Sequence, residues 1–337
     1  MKKIFNLIAS FVLLAGFSAC NKDGSDKPGL PPAPVPTVNY KGLTFISSGK
    51  STVCLAKVGA PDEITLEYST DESQWNPYTI GEKISMADGS FLLFRAGEQK
   101  NLTFSKGSDS YYHFEISGPV TAQGNIMSLL DRDFSTPLST NAFFALFEGC
   151  TSLLSAPELP ATTMEQGCYF RMFAECTGLK SAPELPAKEL AYNCYGWMFK
   201  GCSALTYVPD LPATEMVSYC YNNMFANCTS LKFAPELPAT RLDMGCYHCM
   251  FEGCTNLTSA PELPATELVS NCYEFMYKDC RNLRYVIGLF TTEPSEKTTK
   301  DWLSGVAASG TFIKSKKATW DVTSAHGVPE GWKIETW

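Results

Sequence analysis

The residues with the clearest chemical potential are cysteines and a histidine in the second half of the chain. The segment C-Y-H-C at 246–249 is a C-x-x-C pair with His248 inside it, and Cys254 follows closely. Thiol and imidazole groups at this spacing are typical of a metal site or a redox pair. A second C-x-x-C pair, which a zinc site usually needs, does not occur in the sequence. The motif is therefore a weak indication of such chemistry, and we predict no metal and no cofactor.

A structural interpretation of these cysteines is stronger. Cys246 belongs to a series that repeats every 26 residues, whereas Cys249 falls in a column of unrelated residue types. A disulfide could join one repeat to only one of its two neighbours, yet all repeats carry the same cysteines. We therefore expect buried free thiols that serve as small apolar side chains. The two series are Cys150, Cys176, Cys202, Cys228, Cys254 and Cys280, and Cys168, Cys194, Cys220, Cys246 and Cys272.

No other motif predicts catalysis. The three histidines, His113, His248 and His326, lie in three different regions of the chain. No phosphate-binding loop, no H-E-x-x-H motif and no G-x-S-x-G motif occurs. A repeat places the same residue at many points, whereas an active site needs different residues at one point. We predict that the protein is not an enzyme.

The composition excludes further classes of function. The chain has 337 residues, of which 45% are hydrophobic and 18% are charged, so a sizeable core can form. The formal net charge of −8 argues against nucleic acid as a partner, because phosphate binding needs a basic surface.

The N-terminus has the features of an export signal. Two lysines precede an apolar run that is too short to span a membrane, and the run ends F-S-A-C. The last four residues resemble a bacterial lipobox, which implies cleavage after residue 19 and lipidation of Cys20. Residues 20–39 are rich in proline and glycine and are predicted to be a tether. We therefore expect a lipid-anchored protein at the cell surface or outer membrane, with no other membrane contact.

The repeat steps through the centre of the chain with a period of 26 residues. Prolines and methionines keep this period as well as cysteines, for example at Met172, Met198 and Met224. Such periods indicate a solenoid, in which each unit buries its apolar face by stacking on its neighbours. Leu153, which recurs in every unit, and the residues after it predict a short strand that ends near the first proline. Cys168, Met172 and Cys176 are spaced by four, which predicts a helical turn.

The repeated phrase M-F-x-x-C-T-x-L-x-x-A-P-E-L-P-A-T, as at 224–240, resembles the BspA-like leucine-rich repeats of bacterial surface proteins. The resemblance covers about 150 residues, from Asn141 to Phe290. It implies a right-handed leucine-rich-repeat solenoid, here with 26-residue coils. Members of that family are surface adhesins or have no assigned role, so the resemblance implies binding and no catalysis.

Together with the flanking regions, the repeats predict an α+β multidomain fold class. Residues 40–120 contain six or seven short β-rich segments and are predicted to form an all-β sandwich, with Trp75 buried inside it. Residues 121–145 are predicted to be the N-terminal cap of the repeats at 146–290. Residues 291–337 are predicted to be the C-terminal cap, with a helical turn near Trp302 and a strand at Thr311–Lys314 that ends the sheet.

Two columns of the repeat are candidates for ligand binding. One column places aromatic residues in the predicted strand, between two core columns, so its side chains should point outward. The second column is acidic and lies between the two prolines of each unit, with cations such as Lys180, Lys232 and Arg284 nearby to screen it. The candidate residues are Tyr207, Phe233 and Tyr285 in the first column and Glu158, Glu184, Asp210, Glu236 and Glu262 in the second.

These features predict a monomeric, lipid-anchored binding protein. Its partner would be an extracellular protein or a glycan of a host or of a microbe, and binding would serve adhesion or another interaction with that surface. Two alternatives remain open: a carbohydrate-capturing lipoprotein that serves a nutrient importer, and a purely structural envelope protein.

Overall fold

The computed structural model describes residues 39–98, 102–320, 323 and 326–337. The predicted signal peptide at 1–19, the lipidation site Cys20 and nearly all of the tether at 20–39 lie outside these residues. All the described residues belong to one compact unit, residues 36–337.

The described residues form fourteen strands and one short 3₁₀ helix, Ile126–Leu129. Nine strands precede the 3₁₀ helix: β1 Thr44–Ser47, β2 Ser51–Val58, β3 Leu66–Ser69, β4 Asn76–Tyr78, β5 Ile84–Met86, β6 Phe91–Ala96, β7 Ser105–Gly107, β8 Ser110–Ser117 and β9 Val120–Gln123. Five follow it: β10 Leu153–Ser155, β11 Ser259–Leu263, β12 Tyr285–Gly288, β13 Thr311–Lys314 and β14 Lys333–Thr336.

The first nine strands, together with β10, form two facing sheets, in agreement with the all-β character predicted for this region. One sheet has the order β10-β9-β1-β6-β3-β4 and the other has the order β5-β2-β8-β7. Phe114 of β8 packs between the sheets, with its ring 5.1 Å from that of Phe45 and 5.6 Å from that of Phe94. Trp75, expected to be buried, is only half-buried, and the Arg95 guanidinium lies over its ring at 3.8 Å.

The N-terminal sheet continues directly into the repeats. Strand β10 belongs to the first repeat and pairs in parallel with β9. The N–H of Val120 donates to the carbonyl of Ser152, and the N–H of Ile126 donates to that of Glu158 (both 3.1 Å). This pairing covers the apolar end of the first repeat, which would otherwise face water.

Six 26-residue units, named units 1 to 6 here, begin at residues 141, 167, 193, 219, 245 and 271. The predicted helical turn is absent from all of them, because residues such as 167–176 form consecutive β-turns instead. Alternate N–H groups close these turns, as from Met172 to the carbonyl of Tyr169 (3.2 Å). The N–H groups between them donate to the next unit, as from Tyr169 to Cys194 (3.0 Å).

The α+β fold class is therefore wrong: apart from the 3₁₀ helix, the described chain consists of strands, turns and irregular segments. Every fourth residue of the turn segment has a left-handed backbone, as at Gly167 (φ 60°), Arg171 (φ 58°) and Glu175 (φ 59°). A helix requires negative φ at each residue, so this alternation excludes it. The continuous sheet of a leucine-rich-repeat solenoid is also missing, because units 2 to 4 contribute only isolated bridges such as Ser181 to Tyr207.

Two columns of aromatic rings run through the core of the units. Rings in the first column lie 5.4–5.7 Å from their neighbours and nearly parallel to them. Rings in the second column lie 5.8–6.0 Å apart. The columns are Phe147, Phe173, Phe199, Phe225, Phe251 and Tyr277, and Phe143, Tyr169, Tyr195, Tyr221, Tyr247 and Tyr273. These distances set the advance from unit to unit.

The C-terminal region closes the stack with a third sheet, β11-β12-β13-β14, in which all neighbouring strands are parallel. The strand predicted at Thr311–Lys314 is confirmed as β13, but the sheet does not end there, because β14 pairs with it. The helical turn predicted near Trp302 is wrong, because residues 296–305 form turns. Trp302 is fully buried, and its indole N–H donates to the carbonyl of Gly327.

Candidate functional site

The aromatic column lies on the surface of the strand side. Tyr207 is 56% exposed, Phe233 is 66% exposed and Tyr285 is 36% exposed. Each belongs to a different unit, and parallel bridges join Tyr207 to Ser181 and Phe233 to Ser259. The outward direction expected from the alternation of core columns is therefore present for all three rings. We call this surface, with the acidic column beside it, the strand face.

The acidic column is also on the strand face. Glu158, Glu184, Asp210 and Glu236 are exposed, whereas Glu262 in β11 is half-buried. Burial, followed by the negative charge of Glu236, raises the pKa of Glu262. The carboxylates of Glu236 and Glu262 in neighbouring units therefore repel each other, as expected for like charges in adjacent rows.

The cations expected to screen this column do not pair with it. Lys180, Lys232 and Arg284 are exposed, and none of them forms an ion pair with the acidic column among the described residues. They lie immediately before the aromatic column in the chain. In chain order within a unit, the strand face thus carries first a cation, which occurs in alternate units, then the position of the exposed rings, and then a carboxylate.

A shallow groove of about 480 Å³ opens on the strand face between units 1 and 2. Four prolines, two alanines and Leu159 form its apolar lining, and Glu158 and Glu184 supply its charge. The prolines are Pro157, Pro160, Pro183 and Pro186. Because proline has no N–H to donate, the two units cannot pair through these residues. We did not predict the groove from the sequence, although the two prolines of each P-E-L-P segment mark positions where neighbouring units cannot pair.

The cysteines of the units are buried and free, as are the other described cysteines. The thiol of Cys228 donates to the carbonyl of Phe199 in the preceding unit (3.2 Å), and Cys176, Cys202, Cys254 and Cys280 repeat this contact at 3.0–3.1 Å. A cysteine therefore fills a small apolar space and also supplies a weak donor to the preceding unit.

The C-Y-H-C segment places the His248 side chain among polar groups of neighbouring units. The His248 ring contacts Asn222 (3.2 Å), Glu274 (3.6 Å) and the Cys249 sulfur (3.8 Å). Burial, followed by the charge of Glu252, raises the pKa of Cys249, and burial lowers the pKa of His248. Within the described ranges, no three His, Cys, Asp or Glu side chains are placed to hold a metal ion. His248 instead links units 4, 5 and 6 by polar contacts.

We expect the native thiols to be unreactive toward a disulfide reagent such as DTNB at pH 8. Burial raises the pKa of Cys150, Cys194, Cys254 and Cys272 from 9.0 to about 12, so their thiolate fraction falls by about three orders of magnitude. Residues 36–337 should release almost no chromophore when folded and about one equivalent per cysteine in denaturant. One or two thiols that react quickly in the folded protein would revive the redox interpretation of Cys246 and Cys249.

Comparisons with known proteins leave the resemblance without further support. The chain matches no protein-family model, no curated protein and no solved structure. The likeness to BspA-like repeats therefore stays a prediction. In the described part of the chain, no helix has the length and apolar character needed to cross a membrane.

Proposed function

We propose that the protein is a non-catalytic surface protein that binds an extended extracellular protein or glycan through its strand face. The observation that carries this proposal is the exposure of Tyr207, Phe233 and Tyr285 in one column. The described residues include seven exposed large apolar side chains, and three of them lie in this column. Rings held in water by a rigid support lose little conformational entropy when a partner covers them.

The charged columns would give such a surface its selectivity. Carboxylates run along one side of the rings, and the exposed cations Lys180, Lys232 and Arg284 run along the other. A partner whose charges match both rows would bind in one orientation, and a partner with the opposite arrangement would be repelled. The groove beside Glu158 and Glu184 is too open to enclose a small molecule, which favours a long partner over a compact one.

The proposal includes no reaction. The groove is lined by two carboxylates, by prolines and by Ser181, and its lining contains no histidine or cysteine that could activate this serine or act in its place. The exported, lipid-anchored state that we propose depends on Cys20 and the preceding signal, which lie outside the described residues. That anchor would place the strand face at the cell surface, where extended proteins and glycans are accessible.

We expect a variant with Tyr207→Ala, Phe233→Ala and Tyr285→Ala to lose at least about tenfold in affinity for the partner, because exposed aromatic residues commonly dominate binding energy. Residues 36–337 would be screened against arrays of extracellular-matrix proteins and glycans, and each hit would be titrated with both proteins. The unfolding temperature should change little, since all three side chains are on the surface.

A matched control removes three other exposed apolar side chains: Val58→Ala, Tyr192→Ala and Met244→Ala. This variant should bind as tightly as the parent protein. If both triple variants bind equally well, the strand face is not the binding surface. A hit restricted to glycans would favour the carbohydrate-capture alternative. No hit with any array would overturn the proposed binding function in favour of a structural role.

A further inference from the structure

The C-terminal sheet ends at an open edge, strand β14. Among the described residues, no strand pairs with β14 on the side away from β13. Unpaired strand edges are sites for pairing with another chain, and proteins usually shorten them or interrupt them with proline. The other open edges follow that rule, because β5, β7 and β10 have three residues each, β4 contains Pro77 and β11 contains Pro261. Strand β14 has four residues and no proline.

The hydrogen bonds to β13 show which groups of β14 face the open side. The N–H of Lys333 donates to the carbonyl of Gly310 (2.8 Å), and the N–H of Trp337 donates to that of Lys314 (2.9 Å). Alternate residues of a parallel strand bond to the same neighbour. The N–H and C=O groups of Ile334 and Thr336 therefore point to the open side, where a second strand could pair with them.

The charges of β14 are self-complementary in one antiparallel register. Lys333 and Glu335 are on the same face of the strand and form an ion pair within it (2.6 Å). If Ile334 pairs with Ile334 of a second copy, Lys333 of each copy lies opposite Glu335 of the other, with Cβ atoms about 4.5–5.5 Å apart. The two adjacent registers would instead oppose Glu335 to Glu335 or Lys333 to Lys333. The charges thus select the central register.

The same register accommodates an exposed indole. Trp337 is 59% exposed and follows β14 directly. In the central register it lies opposite Gly331 of the second copy, which has no side chain to block the ring. A Cβ added at Gly331 would be 3.0 Å from the carbonyl oxygen of Ala308 and near no other residue, so the space beside this glycine is open.

We propose that β14 pairs with β14 of a second copy of this chain in the Ile334-centred antiparallel register. The pairing joins the two four-stranded sheets into one and forms two ion pairs between copies. It replaces the monomer expected from the sequence and is independent of the proposed binding function. The contact is short, so the dimer is expected to be weak in solution and favoured at high concentration. The competing explanation is that Lys333 only protects this edge from pairing. A charge that protects an edge would not meet an opposite charge on a second copy, whereas Lys333 meets Glu335 in the central register.

A charge exchange tests the register. Sedimentation velocity on residues 36–337 over a hundredfold range of concentration should show a monomer–dimer equilibrium. Lys333→Glu alone and Glu335→Lys alone should each weaken the dimer about tenfold, because like charges then face each other twice. The double variant Lys333→Glu with Glu335→Lys should restore it. A protein that stays monomeric throughout, or a double variant as weak as the single ones, would overturn the proposal.

Cross-linking provides a second test that detects even a weak dimer. Lys333→Cys protein mixed with Glu335→Cys protein should form a disulfide-linked dimer under mild oxidation, because these positions lie opposite each other. Either variant alone should cross-link less, since equal positions are diagonal neighbours about 7–8 Å apart. The native thiols are buried and should not contribute. Cross-linking that is equal in the mixture and in the separate proteins would contradict the register, and no cross-linking would contradict the pairing.

Discussion

Replacing Phe225 with alanine should lower the free energy of unfolding by about 3–5 kcal/mol, the usual cost of truncating a buried phenylalanine. Phe225 lies at the centre of the stack and is fully buried. Its ring is 5.7 Å from that of Phe199 on one side and 5.7 Å from that of Phe251 on the other. The change therefore leaves a cavity and removes two ring contacts at once. Urea unfolding followed by circular dichroism measures the shift in the transition.

The same unit provides a matched control. Phe233 is eight residues further along the chain but is 66% exposed on the strand face. Phe233→Ala should change the free energy of unfolding by no more than about 0.5 kcal/mol. The two variants remove the same atoms from one unit, so their difference measures burial alone. Equal effects would mean that the aromatic column is not the core of the stack.

This contrast between buried and exposed columns was predictable from the sequence. Strict periods of 26 residues require that equivalent side chains share one environment, so a column of Cys or Leu indicates the core. The mixed column of Ser181, Tyr207 and Phe233 indicates the surface, because no core column tolerates such a range of volume and polarity. The strand at Thr311–Lys314 was also predictable, since its aromatic and β-branched residues follow a glycine.

The consecutive β-turns that replace the predicted helical turn were not predictable from spacing alone. Side chains four residues apart share one face of a helix, but they also share one face in consecutive turns that repeat every four residues. The distinguishing signal is the residue type at the turn positions, where glycine and asparagine recur as at Gly167, Asn193, Gly245 and Asn271. Arg171 and Trp197 adopt the same left-handed backbone without being glycine or asparagine, and so they conceal the pattern.

The residues of the strand face were predictable from the sequence, but the groove on that face was not. Exposure of Tyr207 and Phe233 follows from the repeat, whereas the groove at Glu158 and Glu184 depends on where neighbouring units are bridged. The bridge from Ser181 of unit 2 to Tyr207 of unit 3 has no counterpart from Ser155 to Ser181 among the described residues, and units 1 and 2 are bridged at Thr163 and Glu189 instead. Ser155 pairs with Thr121 of the N-terminal sheet, a long-range contact that no repeat pattern contains.

Replacing Gly245 with alanine should separate the turn structure from the helix. In the interior of a helix this change would stabilise the protein by up to about 1 kcal/mol. In the structure Gly245 has φ +61°, where an alanine costs about 1–2 kcal/mol of backbone strain. A Cβ at this position would also come within 2.4 Å of the Tyr219 ring, which must then move. We therefore expect the variant to unfold at lower temperature and lower urea concentration than the parent protein.

Gly149→Ala isolates the backbone part of this effect. Gly149 has φ +74°, and a Cβ added there would meet no atom within 4 Å, so its replacement costs strain without a clash. The loss should be about 1–2 kcal/mol at Gly149 and larger at Gly245, because only the second displaces a ring. Both losses follow from turns with a left-handed residue at every fourth position. Stabilisation by both alanines would instead require helical backbone at both glycines, and the stack of turns described above would then be wrong.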